Sequence, residues 1–313
     1  MADSIGLKAK MGIKEVVSWA SSYAAVDDPI PFTDENIIEN WERIQKQALL
    51  GYGGREKSDQ GNRVVQGTTN HELDYDNFIP IIEHIMGAES AGVITIEDQL
   101  AKYLFIEIEK QVSRFRAGPS KGKKFTIKGD AGDNIKLACE WHCRKVERSA
   151  TAFPAIAPAA ADRLLFSQMV FRIGDQANAL TSGDAVGLAS FELEFDRQMH
   201  TGDYASDATT PKETLDPIEG DFRTCMLKIK IPRYAADTFA TWKAADTSLQ
   251  ADLTFTGPSA KGFLIQLPEL KITEGFDAPV GGPGPLTLEG SLEAYRSSNA
   301  YMYTGNEMKI TVS

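Results

Sequence analysis

Apolar and polar residues alternate along several short stretches of this chain. Tyr103 to Glu109, Lys124 to Lys128 and Ile135 to Trp141 follow a period of two, which predicts strands with one covered and one solvated face. Phe191 to Arg197 and Cys225 to Ile231 read the same way. Helical spacing occurs at Phe78, Ile81, Ile82 and Ile85, with Asp76 or Asn77 to cap and Gly87 to stop. A second short helix carries Tyr234, Phe239 and Trp242. Asn36 to Asp76 predicts two extended arms, Ile38, Trp41 and Ile44 on one and Val64, Val65, Leu73 and Tyr75 on the other, around the polar loop Gly51 to Arg63. A loop of that length is functional or disordered more often than not.

The order of elements recurs. Phe191 to Arg197 answers the arm ending Trp41-Glu42-Arg43, and a polar loop from His200 to Asp216 follows it. Ile218-Glu219-Gly220 answers Val65-Gln66-Gly67, and Gly257-Pro258-Ser259 answers Gly118-Pro119-Ser120. The period is far longer than that of solenoid repeats, so each copy is a whole domain. The expected division is an N-terminal arm over 1–30, a first domain over 31–150, an Ala/Pro-rich linker over 151–161 and a second domain over 162–313. Mostly strands with one short helix per half predict a mainly β fold, a β-sandwich or half-barrel with a flanking helix in each domain.

Composition narrows the function classes. The chain has 313 residues and a formal net charge of −11, which argues against tight binding to nucleic acid phosphates over the whole surface. Three cysteines make no disulfide framework and suit a reducing compartment. No apolar run approaches the roughly 18 residues of a membrane helix, and the start has no signal-peptide core. Assembly in cytoplasm, away from any membrane, is the expectation.

Tests for chemistry come out negative. Gly118-Pro119-Ser120-Lys121-Gly122 matches a nucleophile elbow on paper, but a strand rather than a helix is expected after it. A hydrolase built on Ser120 is therefore set aside. Cys139 and Cys143 on a strand lie about 13 Å apart at ~3.3 Å per residue, too far to share one zinc, and His142 points the other way. Nothing suggests a catalytic residue, metal ligand or cofactor. A sugar-binding β-sandwich of the adhesin type remains an alternative; it requires clustered exposed aromatics, and the aromatics here mostly alternate inward.

Alternation also sorts the acids. Glu72, Asp74 and Asp76 share one predicted strand face, Glu192, Glu194 and Asp196 another, and Glu107 and Glu109 a shorter stripe. Such stripes are solvated outer faces or the lining of an enclosed passage that repels phosphates.

In combination, several features resemble the tail tube (major tail) proteins of long-tailed bacteriophages. They are the Pro31-Phe32-Thr33-Asp34-Glu35 strand entry with Ile37, the Gly53-Gly54-Arg55 to Arg63 loop returning to Gly67, and the helix ending Ile85-Met86-Gly87-Ala88. Phe263 to Glu269 and the Gly281-Gly282-Pro283-Gly284-Pro285-Leu286 turn add to it. The resemblance implies a non-enzymatic structural virion protein whose subunits close into rings that stack into the conduit for DNA ejection. Two tube-like domains in one chain imply trimeric rings with pseudo-sixfold symmetry. It also implies tape-measure, tail terminator and distal tail proteins as partners, DNA passing through without specific binding, and location in the phage tail. Arg55, Glu56, Lys57, Asp59 and Arg63 are then expected at the contact between rings, where mixed charge sets register, and the acidic stripes are candidates for the lumen.

Overall fold

The computed structural model describes residues 8–45, 58–204, 213–233, 235–277, 286–297, 301–302 and 305–313. In its first half, β1 (Lys10–Val16) and β2 (Asp28–Ile30) pair with each other, and β3 (Asp34–Glu35) and β4 (Ile38–Ile44) lie along β5 (Asp59–Glu72). Helix α1 (Ile79–Met86) leads into the hairpin β6 (Gly87–Ser90) and β7 (Val93–Ile96). Strands β8 (Tyr103–Glu109), β9 (Arg114–Asp130), β10 (Lys136–Cys143) and β11 (Val146–Ser149) follow. The second half contains β12 (Met169–Asp175), β13 (Ser190–Asp196), the small pair β14 (Met199–His200) and β15 (Ile218–Glu219), and β16 (Thr224–Ile231). After α2 (Thr238–Ala244) come β17 (Leu249–Thr256), β18 (Gly262–Gly275), β19 (Leu288–Ala294) and β20 (Lys309–Val312).

Neighbouring strands in the first half run β1, β8, β9, β10, β5, β4, all antiparallel. In the second half they run β12, β17, β18, β19, β16, β13, again all antiparallel. The irregularities recur as well. Register shifts fall between Leu104 and Ile106 of β8 and between Leu249 and Ala251 of β17, and again where β9 meets β10 and where β18 meets β19. An extra residue on one strand bends it and increases its twist, so the long strands β9 and β18 each pass from one sheet layer to another.

Among the described residues, two strand pairings and the single bridges Asp74–Arg163 and Asn134–Leu165 join the halves. β13 lies along β9, from Ser190 opposite Asp130 to Asp196 opposite Lys124. β20 lies between β18 and β7. One apolar cluster runs through both halves, from Met11 and Ile13 to Leu292 and Ile310. Phe191 of β13 packs 6.3 Å from Phe255 of β17, a strand it does not pair with, so apolar faces meet across layers.

The two expected helices are present, with local differences. Phe78 precedes α1 without a side-chain cap; the Asp74 carboxylate instead accepts from the backbone of Asp76 and Asn77. Gly87 ends α1 at φ +125, where an added Cβ would stand 2.6 Å from the Glu97 Cβ, so a side chain is excluded on both counts. Residues 10–30 are no loose arm. β1 zips along β8 with Met11 and Ile13 buried, and Trp19 stacks on His142 and donates to the Thr214 carbonyl at 2.9 Å. Met11 and Ile13, two places apart, give β1 an apolar side that joins the core.

The matched tripeptides fare worse. Gly118-Pro119-Ser120 sits inside β9, whereas Gly257-Pro258-Ser259 precedes β18 in a turn. Val65-Gln66-Gly67 is the middle of β5, but Ile218 and Glu219 form a two-residue strand. Short tripeptides recur by turn chemistry alone; pairing order is the better guide here.

Candidate functional site

One sheet runs through both halves in the order β4, β5, β10, β9, β13, β16, β19, β18. Its inward positions are apolar: Phe125 and Ile127 on β9, Phe191, Leu193 and Phe195 on β13, and Leu227 and Ile229 on β16 are buried. The opposite face is mainly polar, with Ile38, Val64 and Met226 interspersed. Glu72, Lys136, Lys128, Glu192 and Lys228 make one row across it. Glu192 pairs with Lys228 at 3.0 Å, Glu194 with Lys124 at 2.8 Å, and Lys230 with Glu289. A groove of about 640 Å³ crosses this face from β9 to β18. Exposed pairs like these contribute ~0–1 kcal/mol each, so their effect is on the potential of the face rather than on the fold.

The structure separates the acids that alternation placed together. Glu192, Glu194 and Asp196 stand on the polar face, half-buried, as expected. Glu72 is the last residue of β5, so Asp74 and Asp76 do not continue its face. Asp74 is buried as the turn acceptor before α1, and Asp76 pairs with Lys261 of the second half at 2.6 Å. Glu107 is a clear correction: it is fully buried, paired with Arg114 and bonded by the Tyr23 hydroxyl, with Arg116 at 3.8 Å. Glu109 shares its strand β8, outside the polar sheet. Period two assigns a side; it does not say whether a neighbouring strand or water covers that side.

Of the expected ring contact, Arg55, Glu56 and Lys57 lie outside the described residues. Asp59 and Arg63 are in β5 rather than in a loop. Arg63 is half-buried, 2.7 Å from Glu213 and 3.3 Å from Glu39, with its guanidinium 5.4 Å over Trp41.

The residues tested for chemistry have structural roles. Ser120 is buried and donates to the Cys143 sulfur at 3.0 Å. Burial pushes the Cys143 thiol up to about 12 and raises Cys139 also, so both act as small apolar residues. His142 is buried, 3.2 Å from the Thr214 hydroxyl, and desolvation pulls it down to about 4. Among the described residues, no group of three His, Cys, Asp or Glu is placed to hold a metal ion. The most exposed of the described aromatics, Phe222, lies between β15 and β16.

Two functional features escaped the sequence reading. Arg197 is fully buried at the junction of the halves. It donates to the Ile85 carbonyl at 2.5 Å, to the carbonyls of Met86 and Glu97, and to Glu219. Burial pulls its pKa down and Glu219 opposes that. A signal existed: Arg197 continues the inward phase of Phe191, Leu193 and Phe195. The other feature is the pair of sheet ends. No described strand lies along the outer edge of β4, and none lies beside β18 past Leu270 on the side away from β19. Which edges stay open is decided by three-dimensional pairing, and no local pattern encodes it.

A family model described as phage tail tube protein matches residues 6–305. No curated protein matches the chain.

Proposed function

The chain belongs to the phage tail tube protein family, a family of structural, non-enzymatic virion proteins, and from that premise we propose that copies of it close into rings that stack as the tail tube. The observation that carries this reading is the eight-strand run from β4 to β18, mainly polar on one face and unpaired at both ends among the described residues. Open edges invite pairing with another chain. A head-to-tail contact whose rotation closes gives a ring, and stacking rings gives a filament. The polar face of the sheet then lines the bore through which DNA leaves the capsid.

The shared strand order of the two halves supports a tandem arrangement of two tube domains, and hence a ring of three chains with pseudo-sixfold symmetry. The bore lining carries both signs. Glu72, Glu192, Glu194 and Asp196 alternate with Lys124, Lys128 and Lys228, so phosphates meet acids already matched by lysines and find no uninterrupted basic track to hold them. Stacking falls to Arg55, Glu56 and Lys57, between β4 and β5. The tape-measure protein occupies the bore during assembly, and terminator and distal tail proteins meet the tube's ends.

Negative-stain microscopy of the purified protein at rising concentration tests this. Rings with a central hole, and tubes whose averaged end views show threefold symmetry, are the expected result. A sample that sediments as monomer at every concentration and shows no rings would overturn it.

A further inference from the structure

We infer that the ring closes by residues Glu39–Trp41 of one copy lying antiparallel along Thr273–Gly275 of the next, in a register already written inside each chain. The inference rests on the tube reading above and adds the contact that makes it.

The template is the junction of β9 with β13. On β9 the register shift leaves Gly122 opposite Trp141 and Lys124 opposite Glu140, and β13 begins to pair at Lys124. On β18 the corresponding shift lies between Ile272, opposite Leu292, and Glu274, opposite Ser291. Glu274 therefore stands where Lys124 stands. On the other partner, Leu292 faces Leu227, which faces Leu193. Trp141 faces Gly67, whose missing side chain leaves room for the Ile37 backbone. Ile37 stands where Leu193 stands, and both are buried. Asp196 follows Leu193 by three places as Asn40 follows Ile37. Asp196 opposite Lys124 thus becomes Asn40 opposite Glu274, with Trp41 at Thr273 and Glu39 at Gly275, where β18 ends.

The acceptor for that contact is in place and occupied by a lysine. Phe276 donates its N–H toward β19, to the Glu289 carbonyl, so the Gly275 carbonyl points to the open edge. Lys243, in the last turn of α2, donates to that carbonyl at 2.8 Å and lies 3.1 Å from Asp277. Lysines on open edges are a recurrent guard against wrong pairing. In the closed ring the Glu39 N–H takes the carbonyl, as Phe195 does at the Phe125 position, and the Glu39 carboxylate receives the displaced ammonium. Ile38, 53% exposed in the single chain, becomes covered. Trp41 with Arg63 over its ring comes to the end of α2, the place that Arg197 holds at the end of α1.

Paired cysteines test the register. Asn40 and Glu274 are exposed and would form a non-hydrogen-bonded pair, about 4.5 Å between Cα atoms, within disulfide reach. The native cysteines are buried and stay out of the reaction. Oxidised tubes of N40C/E274C should run as covalent dimers and closed trimers on a non-reducing gel. Tubes of I38C/E274C, slipped by two residues to about 7–8 Å, should remain monomeric on the same gel. A charge exchange provides the second arm: E39K should abolish tubes, and E39K/K243E, which shares its loss of the Arg63 ion pair in the monomer, should restore them. If wild-type tubes form but the slipped pair links and the matched pair does not, the register is wrong while the tube reading stands. Absence of rings or tubes from the wild-type protein would remove the tube reading itself.

Discussion

Glu107 stands three residues after Leu104 in β8, and Asp252 stands three after Leu249 in β17, each Leu marking the same register shift. Both acids are buried, yet their partners come from different places. Glu107 meets Arg114 and Arg116 on β9, and Asp252 is gripped through two oxygens by Arg172 on β12, at 3.0 and 2.5 Å. The helices differ in the same spirit. Ile81, Ile82 and Ile85 of α1 are fully buried, whereas Phe239 is the buried residue of α2. The helices differ because the first half is covered at its β9 edge by β13 and Arg197, whereas no described strand covers the matching edge of the second half. One strand order therefore serves two environments, closed inside the chain and exposed at its end.

That comparison can be broken most directly at Arg197. Replacing Arg197 with Met takes the guanidinium from the Ile85, Met86 and Glu97 carbonyls, leaves Met86 with the Glu97 N–H, and strands Glu219. Breaking such a buried pair costs roughly 3–5 kcal/mol, read as a lowered urea midpoint. Trp41→Ala, at the corresponding open position, should change monomer stability by well under that and remove tubes instead. Equal monomer losses from the two variants would show that the positions are not counterparts.

The buried acids give a smaller contrast. Glu107→Gln leaves the Arg114 guanidinium, 6% exposed, without its counter-charge, and a loss of roughly 3 kcal/mol is expected. Asp252→Asn should lose about 1 kcal/mol, because Arg172 is 31% exposed and can turn to water. The ratio of the two urea midpoint shifts checks this, and the reverse order would refute the burial argument.

Acid gives the smallest effect per group. His71 and His142 are buried and drawn down to about 4, and burial also lowers His84; all three lie in the first half, while His200 is exposed. Unfolded, each takes up a proton near 6.5. The unfolded chain therefore binds more protons below that pH, and stability present above about 6.5 is lost as pH falls toward about 4. Hydrogen exchange across that window should open β5 and β10 before β17 and β18. His142→Gln, which keeps a partner for Thr214, should shrink the gap between them.

How much of this was legible beforehand differs by element. The alternation of Phe191, Leu193 and Phe195 with Glu192, Glu194 and Asp196 fixed β13, its inward face and its polar face. The spacing of Ile81, Ile82 and Ile85 with Gly87 fixed α1. These are local facts, since side-chain direction repeats every two residues on a strand and every 3.6 on a helix. The mainly β class and the family likeness rest on such patterns. Tertiary structure alone decided that Glu107 is sealed against Arg114 while Glu192 faces outward, that Lys10 to Val16 joins the sheet, and that β13 closes one edge while no described strand covers the end of β18. A residue's phase tells which way it points, but the cost of pointing there depends on what strand arrives from elsewhere in the chain to cover it.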